Sequence, residues 1–157
     1  MGLDVLSRHV FVSLPDRNRF GAIAYEPHGT STVPRSFTQA FTNGELWGIT
    51  TEFFLNHQNE IVVPAGNVES ICGRVLENFC MMAKDGFGIE PPYQIELGAI
   101  GLTGVYLGIG RDKMAGPFHL DQLKIRRPLI AVSASARQKL IDDFLNALFD
   151  LAGEDRQ

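Results

Sequence analysis

Twice in this chain a glycine-spaced apolar segment leads into a long amphipathic helix. Gly44-Glu45-Leu46-Trp47-Gly48-Ile49 and Gly104-Val105-Tyr106-Leu107-Gly108-Ile109 share a Gly-x-x-x-Gly-Ile frame sixty positions apart. Short paired strands cannot bury one face without a covering layer, so each half needs its helix. The expected class is α+β, a mainly antiparallel or mixed sheet with two long amphipathic helices packed on it. The frames allow two origins: a ββα duplication with halves 37–86 and 93–153, or two unrelated hairpins that use glycine at turns and close-packed positions.

Strand signals begin with the runs 9–14 and 20–25, separated by Pro15, Asp16, Arg17, Asn18 and Arg19, which reads as a first hairpin. Residues 27–36 lack hydrophobic period and read as a loop. Runs 37–41 and 46–54 flank Asn43-Gly44, a strong type I′ hairpin signal. Alternation there puts Trp47, Ile49, Thr51 and Phe53 on one face, the expected buried one. Run 93–100 turns at Gly101-Leu102-Thr103-Gly104 and returns as 105–109, a second hairpin. After a loop at 110–120, runs 122–125 and 129–132 read as strand interrupted near Pro128, which cannot donate to a ladder.

Residues 61–63 form a short strand, and Pro64-Ala65-Gly66-Asn67 opens the first helix with Asn67 as its cap. Its apolar stripe is Val68, Ile71, Cys72, Val75, Phe79, Met82 and Ala83, with Glu69 and Lys84 suiting the dipole and Gly86 as the stop. The second helix spans about 135–152, with a stripe of Leu140, Ile141, Phe144, Leu145, Leu148 and Leu151. Gly153 ends it, leaving a frayed tail at 154–157.

A chain of 157 residues is expected to make one domain, 1–157. Its net charge of −4 argues against wholesale nucleic-acid wrapping. Cys72 and Cys80 share the first helix about 12 Å apart at 1.5 Å per residue, too far to bridge each other, and read as packed, reduced thiols. With no apolar run long enough to span a bilayer and no leader pattern, a cytoplasmic protein is expected.

From Gly44-Glu45-Leu46-Trp47-Gly48, through the Pro64-initiated helix, to Pro91-Pro92 and Gly101-Leu102-Thr103-Gly104-Val105, the chain resembles the region downstream of AlbA_2-type (Schlafen-like) nucleic-acid-binding domains in bacterial ATP-binding proteins. The overlap is residues 37–107. The resemblance implies an accessory module, part of a larger nucleic-acid-related or defence protein. It rests on glycine, proline and aromatic positions and transfers no functional residue, and the AlbA_2-like domain itself is not present in these residues.

No catalytic signature stands out, so the chemistry-bearing residues are few. Gly98, Gly101, Gly104, Gly108 and Gly110 lie across a hairpin, whereas a dinucleotide fingerprint opens a helix. His9, His28, His57 and His119 are scattered without metal-ligand spacing, so neither metal nor cofactor is expected. The second helix is more informative: Arg137 and Lys139 lie near its start and Asp142, Asp143 and Asp150 further along, against the dipole preference. Free N–H groups there, with Ser133 and Ser135 and the preceding Arg126 and Arg127, assemble an expected anion site, Arg126, Arg127, Ser133, Ser135 and Arg137, with Arg111 or Lys113 as additions. The bland alternative is solvated surface charge with Ser135 as an ordinary cap.

The expected function is therefore a non-catalytic accessory or interaction module that binds a protein partner, itself or an anionic ligand. Two alternatives stay open. One is a small enzyme assembled from the loops 28–35 and 110–119. The other is nucleic-acid binding through the basic segment 111–127, with Tyr106 or Phe118 for stacking.

Overall fold

A computed structural model of the chain describes residues 16–27, 34–111 and 113–156. In chain order these form β1 (Asp16–Asn18), β2 (Gly21–Pro27), β3 (Pro34–Phe41), β4 (Leu46–Thr50), β5 (Leu55–His57), β6 (Glu60–Pro64), α1 (Ala65–Met81), β7 (Tyr93–Ile100), β8 (Tyr106–Gly108), β9 (Met114–Ala115), β10 (Gln122–Leu129) and α2 (Ala134–Ala152). The chain is α+β, with antiparallel sheets, one mixed sheet and two helices. It divides into two compact units, Met1–Glu52 with Arg74–Glu90, and Phe53–Gly73 with Pro91–Gln157.

In the first unit β1-β2-β3-β4 form an antiparallel meander. The expected run 9–14 lies outside the described residues. Within them, Asp16–Asn18, expected as turn, is instead the strand that pairs with β2, because the chain reverses tightly between Asn18 and Gly21. Gly21 takes a φ of +146°, and a Cβ there would lie 1.9 Å from the Ala40 carbonyl oxygen, so only glycine fits. The hairpin forms at Asn43-Gly44, but not through the expected type I′ turn: only Gly44 takes a positive φ, +89°, and its N–H donates to Phe41 O at 3.0 Å.

The strand registers sort this sheet into two chemically different faces. One carries Ala22, Ala24, Ser36, Thr38, Ala40 and Leu46, and the other Ile23, Tyr25, Phe37, Gln39, Phe41, Trp47 and Ile49. The small-residue face is the buried one: Ala24 and Ala40 form its core, with Ala22, Leu46 and Met82 packed against them. The expectation that Trp47 marks the buried face is thus corrected, since Trp47 is 54% exposed and Ile49 47%. A face of alanine, serine and threonine lets the covering segment approach closely; on the other face Gln39 is buried and Ile23, Phe37 and Phe41 are half-buried, while Tyr25, Trp47 and Ile49 are exposed.

After Met81 the chain makes a π-helical turn, Met82–Gly86, that continues through Phe87, so Gly86 is not the expected stop; Gly88, at φ +65°, takes that place and donates its N–H to Lys84 O at 3.0 Å. The start of α1 differs, because helical structure begins at Ala65 directly after β6 and places Asn67 within the first turn rather than at the cap.

The second unit holds a two-stranded ribbon, β10-β7, and a four-stranded sheet, β5-β6-β8-β9. The expected hairpin of 93–100 with 105–109 is not made. β7 pairs along its whole length with β10, and β8 lies parallel to β6. The cause is local: Gly101 and Gly104 take φ of +74° and +77°, and Leu102 N–H donates to Asp121 O while Gly104 N–H donates to Phe118 O, leading the chain out of the ribbon. β10 runs unbroken through Pro128, which a two-stranded ribbon, having no central strand, accommodates.

Both stretches that follow β2 read ββββα, yet the duplication does not extend to pairing. β3 to β6 make two successive hairpins, whereas β7 pairs with β10 around an inner β8-β9 pair.

α2 packs on β10 and β8. Leu140, Ile141, Phe144, Leu145 and Leu148 are buried with Leu102, Leu107, Phe118 and Leu129. Ser133 caps the helix by accepting the Ala136 N–H at 3.1 Å, and Gly153 closes it at φ +74°. The expected frayed tail is instead tied down. Arg156 Nη1 donates to Asp142 Oδ1 at 3.0 Å and its Nη2 lies 4.0 Å from Glu69 Oε1, while Gln138 Nε2 bridges the same two carboxylates at 3.1 and 3.2 Å.

Candidate functional site

The five residues of the expected anion site divide between two faces. Arg126 and Arg127 are consecutive on β10 and project oppositely. Arg126 sits across from Glu96 on the solvent side of the ribbon, where Lys124 pairs with Glu96 at 3.5 Å. Arg127 lies on the other side and donates through Nε to Asp143 Oδ2 at 3.2 Å and through Nη1 to the Arg126 carbonyl at 3.1 Å. The two serine hydroxyls lie 3.1 Å apart, with Ser133 already engaged in capping, and the Arg137 N–H donates to the Ser133 carbonyl at 3.0 Å. Asp143, which looked misplaced in the sequence, is explained by its arginine partner.

The other candidates are similarly placed. Lys113 pairs with Glu154 at 3.6 Å, and Phe118, a stacking candidate for the 111–127 segment, is among the most deeply buried side chains. His57 and His119 are exposed. His9, His28 and the loop 28–33 lie outside the described residues. Among the described residues no cluster of three or more His, Cys, Asp or Glu is arranged to hold a metal. Neither Cys72 nor Cys80 is in a disulfide and both are buried, and burial pushes the Cys72 thiol from 9.0 up to about 12.

What the structure presents instead is a surface that the sequence reasoning missed: the outer face of the first sheet together with its β4 edge. Tyr25, Trp47 and Ile49 are 45%, 54% and 47% exposed on that face, and Trp47 meets Phe41 edge-on at 5.7 Å between ring centroids. The edge follows from the hairpin's hydrogen bonds. Phe41 N–H donates to Glu45 O at 2.8 Å and Thr51 N–H to Arg35 O at 3.0 Å, so the odd-numbered residues of β4 bond to β3. Leu46, Gly48 and Thr50 then aim their N–H and C=O groups outward, and among the described residues no strand pairs with that side. The available sequence signal was the alternation itself, small residues at 22, 24, 38 and 40 and large ones between.

The chain matches no protein-family model, no curated protein and no solved structure. No helix among the described residues is long and apolar enough to cross a membrane.

Proposed function

We propose that this chain is a non-catalytic interaction module that recognises protein through the outer face and β4 edge of its first sheet. The observation that carries this is the exposure of Tyr25, Trp47 and Ile49 on one face beside a strand whose outward backbone groups are unpaired among the described residues. Main-chain groups at such an edge supply affinity for an extended segment, and alternate side chains on the adjoining face supply selectivity. Aromatic residues are enriched at protein interfaces for the contact area they carry. Charge favours protein over nucleic acid as the partner, because the first unit holds six Lys and Arg against eight Asp and Glu. A cytoplasmic setting and an accessory place in a larger bacterial assembly, as the resemblance over residues 37–107 implies, belong to the same proposal. The two buried thiols are compatible with a reducing compartment.

The test is selection of a displayed library of random peptides on the immobilised full chain, with Gly48→Pro and Trp47→Ser as counter-targets. Peptides alternating β-branched or aromatic with polar residues are expected to enrich on the parent chain and to lose binding to both variants. No enrichment, or enriched peptides that bind all three chains equally, would overturn the proposal.

A further inference from the structure

We propose that Asn43 is a site of covalent self-modification, a backbone-assisted deamidation whose rate is set by opening of the β3-β4 hairpin tip. The inference is independent of what the β4 edge binds. Asn43-Gly44 is the one Asn-Gly step in the chain, and both residues are exposed to water. The chemistry favours such a step because the nucleophile is the main-chain nitrogen that follows asparagine, and glycine has no side chain to hinder its approach.

Water is the only co-reactant. The Gly44 nitrogen, having given its proton to solvent base, attacks Asn43 Cγ. The new N–C bond forms as the bond from Cγ to the amide nitrogen breaks, and that nitrogen leaves as ammonia with a proton returned from solvent. Water then opens the resulting cyclic imide. Cleavage between nitrogen and Cγ gives aspartate in the ordinary main chain. Cleavage between nitrogen and the Asn43 main-chain carbonyl carbon gives isoaspartate, in which the chain runs through the side chain and gains a methylene.

The fold restrains both reacting groups. Gly44 N–H donates to Phe41 O at 3.0 Å, so the proton that must leave first is held inside the turn. Asn43 Oδ1 accepts the Glu45 N–H at 3.1 Å, which ties down the amide under attack. Phe41 N–H donates to Glu45 O at 2.8 Å and closes the loop beneath them. With Gly44 alone at positive φ, +89°, the tip is a type I turn followed by a glycine bulge. Attack therefore waits on local opening, and where opening and closing are fast the rate follows the open population. The net strength of two such hydrogen bonds sets a slowing of roughly tenfold to a hundredfold against the unfolded chain. The edge-on contact of Phe41 with Trp47, 5.7 Å between ring centroids, clamps the loop from the strand side and adds a further several-fold. Isoaspartate cannot rebuild this loop, since its added methylene lengthens the main chain between Phe41 and Glu45, and each event loosens the register in which Ala40 faces Leu46.

The test is peptide mapping by mass spectrometry of the full chain incubated at mildly alkaline pH, native and in guanidinium chloride. In denaturant Asn43 should deamidate ahead of every other asparagine, and the native chain should follow at a rate roughly tenfold to a hundredfold lower. Trp47→Leu, verified as folded by circular dichroism, should react several-fold faster than the native parent. Another asparagine reacting first in denaturant, or a native chain that never reacts at Asn43, would overturn the site. Equal native and denatured rates would overturn control by the hairpin, a comparison that needs no variant to fold. A folded Trp47→Leu chain reacting no faster than the parent would also count against that control.

Discussion

Replacing Arg156 tests whether the C-terminal tail is part of the second unit. Its guanidinium reaches Asp142 Oδ1 at 3.0 Å, the Asp142 carbonyl at 3.5 Å and Glu69 Oε1 at 4.0 Å, with side-chain exposures of 27% for Arg156, 40% for Asp142 and 45% for Glu69. A hydrogen bond between charged groups contributes about 1.5 to 3 kcal/mol when sheltered, and exposed pairs only about 0.2 to 1 kcal/mol. The half-sheltered geometry falls between, and the exposure of the two carboxylates pulls it low. A double-mutant cycle of Arg156→Ala and Asp142→Ala should therefore give a coupling of about 1 kcal/mol, read by urea denaturation followed in the far ultraviolet. The two single costs should differ. Asp142→Ala leaves Gln138 bonded to Glu69, whereas Arg156→Ala also frees the tail and leaves the two carboxylates facing each other without a cation. Raising the salt to about 1 M, where the screening length falls to about 3 Å, should shrink the coupling. A coupling under about 0.2 kcal/mol, or one indifferent to salt, would refute the reasoning and return the tail to solvent.

Two further outcomes follow from the burial pattern. Cys72 and Cys80 should resist a water-soluble thiol reagent in the folded chain and react fully on unfolding, and prompt native reaction would contradict their burial. Because burial raises the folded Cys72 pKa from 9.0 to about 12, its contribution to stability should be intact below about pH 9 and lost as the pH climbs from 9 toward 12, where only the unfolded thiol ionises. Cys72→Val should flatten that part of the pH profile, and an unchanged slope would show that the loss comes from other groups. Trp47 is the chain's one tryptophan, so its fluorescence reports the outer face directly. The emission should be red-shifted and readily quenched by acrylamide, since Trp47 is 54% exposed. A blue-shifted, protected tryptophan would place Trp47 in a core.

Periodicity was enough for the parts of the fold that are local. The apolar stripe of α2, the reversal at Asn43-Gly44 and the Gly153 stop are spelled by neighbouring residues, whereas in α1 the buried line runs through Val68, Cys72, Leu76, Cys80 and Ala83 and leaves much of the expected stripe half-buried. Pairing between distant strands was not legible. Nothing in residues 93–109 says that β7 will bond to β10, because the choice depends on how Gly101 and Gly104 turn the chain toward Asp121 and Phe118. The face of the first sheet was misread for an instructive reason: hydrophobic size marks a core only when the covering element needs volume, and here it needs closeness, which Ala24, Thr38 and Ala40 provide. Nor was it legible that strand alternation puts Arg126 and Arg127 on opposite sides of the ribbon, or that Arg127 pairs with Asp143 sixteen residues away.

The parallel β6-β8 pairing also sets a timetable for synthesis. Val62 pairs with Tyr106 and Val63 with Leu107, so β6 leaves the ribosome well before its partner. At about 5 to 20 residues per second that delay is roughly two to nine seconds. Throughout it two valines destined for the core have only the short β5 hairpin beside them. The strand that joins the β5-β6 hairpin to the rest of this sheet is therefore made only after α1 and β7. Sparse codons between β6 and β8 would lengthen the exposure, and a chaperone that holds apolar strands would find its longest opportunity on this segment.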